Sequence, residues 1–300
     1  ADLTITTSPH CLLGAEFRYS LPDEFARHYH DLGEAADAAG TVDHTQQKAV
    51  YDRRDRARKA LGELIIERIH RRRNAGETHD DLLQVYMDAT LLDGSRLSDE
   101  QIAGMVVWFM FAGHHTSANT AAWTLVELAR YPDFGREVTA EVDQLFATET
   151  ELSFRALRKM PLMEGFIREI LRAHPPLNAL CRRVMQDFHY KDYLIEAGKN
   201  VMLSPYVAHR LPQYFPDPER FDPHRPEPEN VFAYIPFGGG QRKCVGNAFA
   251  ILQVKTIFGT LLKEFEFELA GPPGEYREIM PSLILRPSDP CVLRYRRRKH

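Results

Sequence analysis

The chain has 300 residues, 44% hydrophobic and 27% charged, with a net charge of −4. That balance excludes a disordered tail and supplies no global positive charge for nucleic acid, so a globular chain with a large core and no nucleic-acid partner is expected. Four cysteines (Cys11, Cys181, Cys244, Cys291) lie far apart with no Cys-x-x-Cys spacing, which excludes a zinc site or a disulfide framework and fits a reducing, cytoplasmic compartment.

In chain order, Leu3 to Leu13 is a short apolar segment predicted helical, and Pro22 to Leu32 places Phe25, Tyr29 and Leu32 on one helical face. Gly33 to Thr41 reads as a loop. Gln46 to Arg73 is a long charged helix with an apolar stripe of Val50, Leu61, Leu64, Ile65 and Ile69, ended by Asn74-Ala75-Gly76. Asp80 and Asp81 start a helix through Ala89. Ser98 to Arg130 is the longest element: Ser98-x-x-Gln101 is a capping box, and Tyr131-Pro132 stops it because the residue before proline resists α geometry. Met105 to Phe111 is apolar on all sides and is predicted to run through the core. Residues 132–146 and 161–173 give two more helices. Leu180 to Met185, Phe188 to Ile195 and Asn200 to Ser204 are strand-like runs, Pro205 to Pro236 is a proline-rich ordered meander, and Leu283 to Leu285 and Cys291 to Arg296 are closing strands. The basic run from Arg294 to Lys299 reads as a solvated edge. The longest uncharged apolar stretch, Ile102 to Gly113, is short of membrane-spanning length. The chain opens on Ala1 without an initiator Met, so an upstream portion, with any anchor it carries, is expected to be missing from the sequence.

Three stretches carry chemistry. Phe237-Gly-Gly-Gly-Gln-Arg-Lys-Cys-Val-Gly246 sets Cys244 after a glycine-rich turn and before an apolar helical run. A helix N-terminus favours thiolate over thiol, and the glycines let a flat ligand approach the backbone, although a lone cysteine is ordinarily a small buried hydrophobe. Ala112-Gly-His-His-Thr-Ser117 places polar groups mid-helix, where buried ones need partners; Thr116 can bond back to the Ala112 carbonyl, and adjacent histidines alone read as a hydrogen-bonded pair. Glu169 and Arg172, three apart on one helix, read by themselves as a surface ion pair.

The first stretch changes the weighting. Phe237, Gly240, Arg242, Cys244 and Gly246 match Phe-x-x-Gly-x-Arg-x-Cys-x-Gly, five fixed positions that coincide by chance roughly less than once in a million windows. The segment resembles the haem-binding loop of the cytochrome P450 family. The resemblance covers nearly the whole chain, and implies one domain over 1–300 lacking the family's N-terminal third: a mainly α fold with small β-sheets, a distal helix at 98–130 and a haem-cysteine loop at 237–246. It implies haem b with Cys244 as axial iron ligand, Arg182 and Arg242 on the propionates, and Phe237 and Gly238 against the cofactor. Glu169 and Arg172, with Arg220 of Pro218-Glu-Arg-Phe221, would form a buried charge network.

His115 stands where the family usually carries an acid before a threonine. With His174-Pro-Pro-Leu177, this makes the chain resemble the sterol 14α-demethylase subfamily. His115 and Thr116 would handle protons, and Phe111, Ala112, Leu177, Ala179 and Leu283 would line the pocket. That subfamily pairs its second histidine with a carboxylate on an earlier helix, for which Asp31 and Glu34 are candidates. The implied activity is insertion of one oxygen atom from O2 into a C–H bond of an apolar, sterol-like substrate. Electrons would come from NAD(P)H through a ferredoxin- or reductase-type donor that meets the basic surface near Arg242 and Lys243. Two other readings stand: a peroxide-using relative, and a non-catalytic binding or scaffold protein.

Overall fold

The computed structural model describes residues 7, 10–11, 13–14, 17, 23–38, 44–279 and 284–299. The expected segment from Leu3 to Leu13 therefore lies mostly outside the described residues, as does Leu283. Two compact units divide the chain at 118/119, within the longest helix.

The first unit holds α1 (Asp23–Ala38), α2 (His44–Ala75), α3 (Leu82–Asp88) and the start of α4 (Asp99–Arg130). Leu61, Ile65 and Ile69 recur every four residues on α2 and pack with Phe25, Tyr29, Leu83, Ile102, Val106 and Met110. Asp81 caps α3 by accepting the Gln84 N–H at 2.9 Å and also meets Arg72 at 2.7 Å, both side chains almost fully buried. The capping box forms: Gln101 N–H donates to Ser98 Oγ at 3.2 Å, and Ser98 N–H to Gln101 Oε1 at 2.8 Å. The segment from Gly33 is not a loop at its start, since α1 runs on to Ala38 through alanine-rich sequence with high helix propensity. Nor is Met105 to Phe111 buried all round: Val106, Val107 and Met110 are, whereas Trp108 is 65% exposed.

The second unit holds α5 (Pro132–Phe146), α6 (Phe154–Leu157), α7 (Pro161–Ala173), α8 (Pro205–Ala208) and α9 (Asn247–Glu264). Its strands are β1 (Leu180–Arg183), β2 (Phe188–Tyr190), β3 (Tyr193–Ile195), β4 (Asn200–Leu203), β5 (Phe265–Leu269) and β6 (Leu293–Arg297). They pair antiparallel as β1–β4, β2–β3 and β5–β6. Trp123, Val138, Val142, Phe166, Ile170, Val254 and Phe258 build the core from four helices. The run from Phe188 is a hairpin, not one strand, because Lys191 turns it at φ 52°. Of the expected strand Leu283 to Leu285, Leu283 lies outside the described residues, and Ile284 makes an isolated bridge with Leu177. The basic C-terminal run is a paired edge: Arg294 and Arg296 stand opposite Glu268 and Glu266, and Arg298 meets Asp143 at 2.7 Å. The fold is mainly α with small sheets, and among the described residues no helix is long and apolar enough to cross a membrane.

Candidate functional site

Two positive-φ glycines shape the cysteine loop. Gly238 (φ 69°) and Gly240 (φ 65°) adopt the left-handed region that side chains rarely enter. Gly238 N–H donates to the Ile235 carbonyl at 3.0 Å, Lys243 N–H to Gly240 at 3.1 Å, and Cys244 N–H to Phe237 at 2.9 Å. These three backbone bonds leave Cys244 exposed, with an exposed Val245 beside it. The following helix begins at Asn247, capped by Gly246, so Cys244 precedes it by three residues; Asn247 Nδ2 donates to the Cys244 carbonyl at 2.9 Å. Phe237 packs into the core of the second unit. Arg242 is exposed in the 3₁₀ turn Gly240–Arg242, and Arg182, on β1, donates to its neighbour's carbonyl, Cys181, at 2.9 Å.

This donor set fits a haem group: an exposed thiol able to ligate iron as thiolate, two arginines that make no ion pair with a carboxylate among the described residues and can meet anionic substituents, and glycines with no Cβ to block a flat plate. At Gly240 an added Cβ would meet nothing within 4 Å.

Behind the loop sits a buried ion network. Arg172 donates to both carboxylate oxygens of Glu169 at 2.8 Å, and both side chains are about 3% exposed. Such a pair is tolerable only when the remaining valences are met. Asp222 N–H donates to Glu169 Oε1 at 2.9 Å, and Arg172 donates to the His209 carbonyl at 3.1 Å. The third charge is not Arg220. Its side chain is 65% exposed and reaches only Asp222, at 3.5 Å, whereas Arg225, 10% exposed, sets its Nε 3.5 Å from Glu169 Oε2. Arg220 gives the network its carbonyl, which accepts from Arg225 at 2.6 Å. The sequence did carry a signal for this: Asp217-Pro-Glu-Arg220 and Asp222-Pro-His-Arg225 repeat one pattern five residues apart, and only the second arginine turns inward. A cavity of about 290 Å³ lies beside the network, lined by Arg158, Arg168, Phe215 and Tyr234 among others; the cysteine loop does not line it.

The histidine stretch lies in the first unit. Thr116 Oγ1 donates to the Ala112 carbonyl at 2.6 Å, as its position suggests. His114 is buried against the Tyr29 ring (5.2 Å, edge-on), and burial, reinforced by neighbouring His115, pushes its imidazole down to about 3. His115 stacks on Tyr29 and meets the Phe111 ring edge-on at 5.0 Å. Gly33 backs it so closely that a Cβ there would lie 2.7 Å from His115 Nε2. Asp31 does not serve as the carboxylate partner of this histidine; it faces Arg53 at 3.6 Å. The Glu34 side chain is outside the described residues. Of the pocket candidates, Phe111, Leu177 and Ala179 are half-buried, Ala112 is exposed, and Leu283 is not described.

Comparison with known proteins agrees with the fold. The Cytochrome P450 family profile matches residues 27–294. A protein named sterol 14alpha-demethylase from Mycolicibacterium vanbaalenii is 41% identical over 308 residues, covering 99% of this chain and 68% of the relative. Its Mycobacterium tuberculosis H37Rv counterpart shows the same identity and coverage. Human lanosterol 14-alpha demethylase is 33% identical, over 99% of this chain and 60% of its own length. Among solved structures, the cytochrome P450DA heme domain superposes with a TM-score of 0.87 at 27% identity, over 99% of this chain and 67% of its own.

Proposed function

The chain belongs to the cytochrome P450 family, the haem-dependent monooxygenases, and from that premise we propose that it oxidises a sterol-like substrate in the manner of a sterol 14α-demethylase. The observation that carries the substrate class is 41% identity to proteins of that name over 99% of this chain, a stretch that includes Ala112-Gly-His-His-Thr-Ser117.

Haem bound to this chain would supply the iron chemistry that activates O2, with electron donation from a thiolate favouring O–O cleavage. Cys244 is the residue that would hold it, and the bond from its N–H to the Phe237 carbonyl holds the backbone at that position. Arg182 and Arg242 would pair with the haem propionates. Thr116 Oγ1 donates to the Ala112 carbonyl, and its hydroxyl is the group we assign, beside His115, to proton handling. His115 is the residue we assign to proton delivery, because burial keeps the neighbouring His114 neutral. Phe111 and Ala112 in the first unit and Leu177 and Ala179 in the second are the apolar residues we assign to contact with a sterol skeleton. Electrons reach the site from NAD(P)H through a ferredoxin- or reductase-type donor attracted to exposed Arg242 and Lys243.

The test is turnover of a 14α-methyl sterol by the full-length protein with a reducing system. The 14-desmethyl product and a thiolate-type, red-shifted ferrous–CO Soret band are expected. Thiolate-type haem with no sterol binding would overturn the substrate class, and an unchanged spectrum in Cys244→Ala would overturn the ligand.

A further inference from the structure

His209 follows α8 and is completely buried, yet both of its ring nitrogens are engaged. Nε2 lies 2.9 Å from the Ile235 backbone nitrogen, and Nδ1 lies 3.3 Å from the Arg172 carbonyl oxygen. A backbone N–H can only donate and a carbonyl can only accept. The ring is therefore the neutral tautomer with its hydrogen on Nδ1. The Arg172 carbonyl is one of the last in α7, where helix geometry leaves carbonyls unpaired, so the imidazole satisfies a group that the helix cannot.

The other end of this bridge leads to the cysteine. Ile235, held by His209, accepts from Gly238 N–H at 3.0 Å; Phe237, two residues on, accepts from Cys244 N–H at 2.9 Å. Tyr234, adjacent to Ile235, donates its hydroxyl to the Arg168 carbonyl at 3.0 Å. Residues 234 and 235 are thus tied to two α7 carbonyls four residues apart, on one helical face. The Tyr234 tie is a single bond from a rotatable hydroxyl. The His209 tie is a rigid ring, flanked by Tyr234 (centroids 5.2 Å apart) and Phe215 (6.1 Å), and anchored again where Arg172 donates to its own carbonyl.

We propose that His209 is a positioning residue for the cysteine loop: its neutral imidazole fixes Ile235 to the end of the Glu169–Arg172 helix, and thereby the depth at which Cys244 presents its sulfur to haem. The proposal rests on the assignment of Cys244 as haem ligand. Among the described residues no other hydrogen bond links the Arg172 carbonyl to the Ile235 amide, so loss of the ring leaves the start of the loop held to α7 by the single Tyr234 bond.

The experiment compares the full-length haem-loaded protein with His209→Phe, which keeps bulk and loses both bonds, and His209→Gln, whose amide can donate to Arg172 and accept from Ile235. Two readings are taken: the fraction of ferrous–CO protein with the thiolate-type Soret band, and the hydrogen-exchange rate of the Ile235 amide. In His209→Phe the thiolate fraction should fall at least twofold and Ile235 exchange should rise at least tenfold, with both recovering in His209→Gln. A wild-type protein without a thiolate-type band would overturn the haem assignment and this inference with it. A thiolate band present in wild type and unaltered in His209→Phe would overturn this inference alone. Should His209→Phe fail to fold, His209→Gln decides: wild-type values for both readings support the bridge, and fast Ile235 exchange with an intact thiolate fraction overturns it.

Discussion

Glu169 Oε2 lies 3.5 Å from Arg225 Nε, while the side chain of Arg220, five residues earlier, points to solvent. The glutamate therefore collects Arg172, Arg225 and the Asp222 amide. Its meander contact is made by the second of two similar Asp-Pro-x-Arg strings.

Replacing each arginine separately checks this. Arg225→Ala should cost about 3 kcal/mol, because it removes a largely buried charge from Glu169 and leaves the Arg220 and Asp217 carbonyls without that donor. Arg220→Ala should stay within about 0.5 kcal/mol, as for other exposed side chains. Urea denaturation of the two variants reads the difference directly.

Gly33→Ala tests the packing behind His115. A Cβ 2.7 Å from Nε2 cannot be accommodated without moving the imidazole or α1. Overpacking of this kind costs about 1–3 kcal/mol. A lowered melting temperature together with slower turnover is expected, whereas Gly62→Ala, where the added atom meets nothing within 4 Å, should leave both alone.

The proton-handling assignment predicts different failures at adjacent positions. Thr116→Ala should let substrate bind but divert reducing equivalents to peroxide. His115→Ala should slow turnover by about 10²-fold and reshape its pH profile. Normal coupling in the first variant and unchanged turnover in the second would remove both residues from the mechanism.

Two histidines of the second unit should bend the stability profile in opposite directions. Burial drives His209 from 6.5 down to about 4, so the unfolded chain binds the extra proton first. Stability should fall as pH drops from about 6.5 toward 4, by roughly 3 kcal/mol for this residue, with His114 adding in the same sense. His174 is the reverse case. Burial alone would lower it, but hydrogen bonds to Glu127 (3.2 Å) and Glu278 (2.7 Å) outweigh that and leave it raised. Its contribution is fully present below its ordinary value and is lost as pH rises through the folded one. Urea midpoints across pH should show a shallower acid limb in His209→Gln and a shallower alkaline limb in His174→Gln.

The exposed Arg242 and Lys243 predict salt-sensitive reduction. Screening shortens to about 8 Å at physiological ionic strength, so the rate of electron transfer from an acidic donor should fall as salt rises, and fall further in Lys243→Glu. A rate indifferent to both would place docking elsewhere.

The sequence alone determined the family and most of the helices, because both are written in local spacing. Residues 237–246 carry five fixed positions within ten, and α5 and α7 begin at Pro132 and Pro161 as read from the chain. The capping box and the Thr116 back-bond are likewise contacts between residues three and four apart. Tertiary structure decided the rest, where partners are distant in sequence. Which arginine reaches Glu169 depends on a meander that is 53 residues away at Asp222, and two near-identical strings cannot be told apart without its path. His209 sits in a proline-rich stretch with weak periodicity; its role appears only when Arg172 and Ile235, 37 and 26 residues off, close on either side of its ring. Gly33 reads as a loop start until the His115 imidazole is packed against it, and burial, which no single residue encodes, then sets which histidines stay neutral.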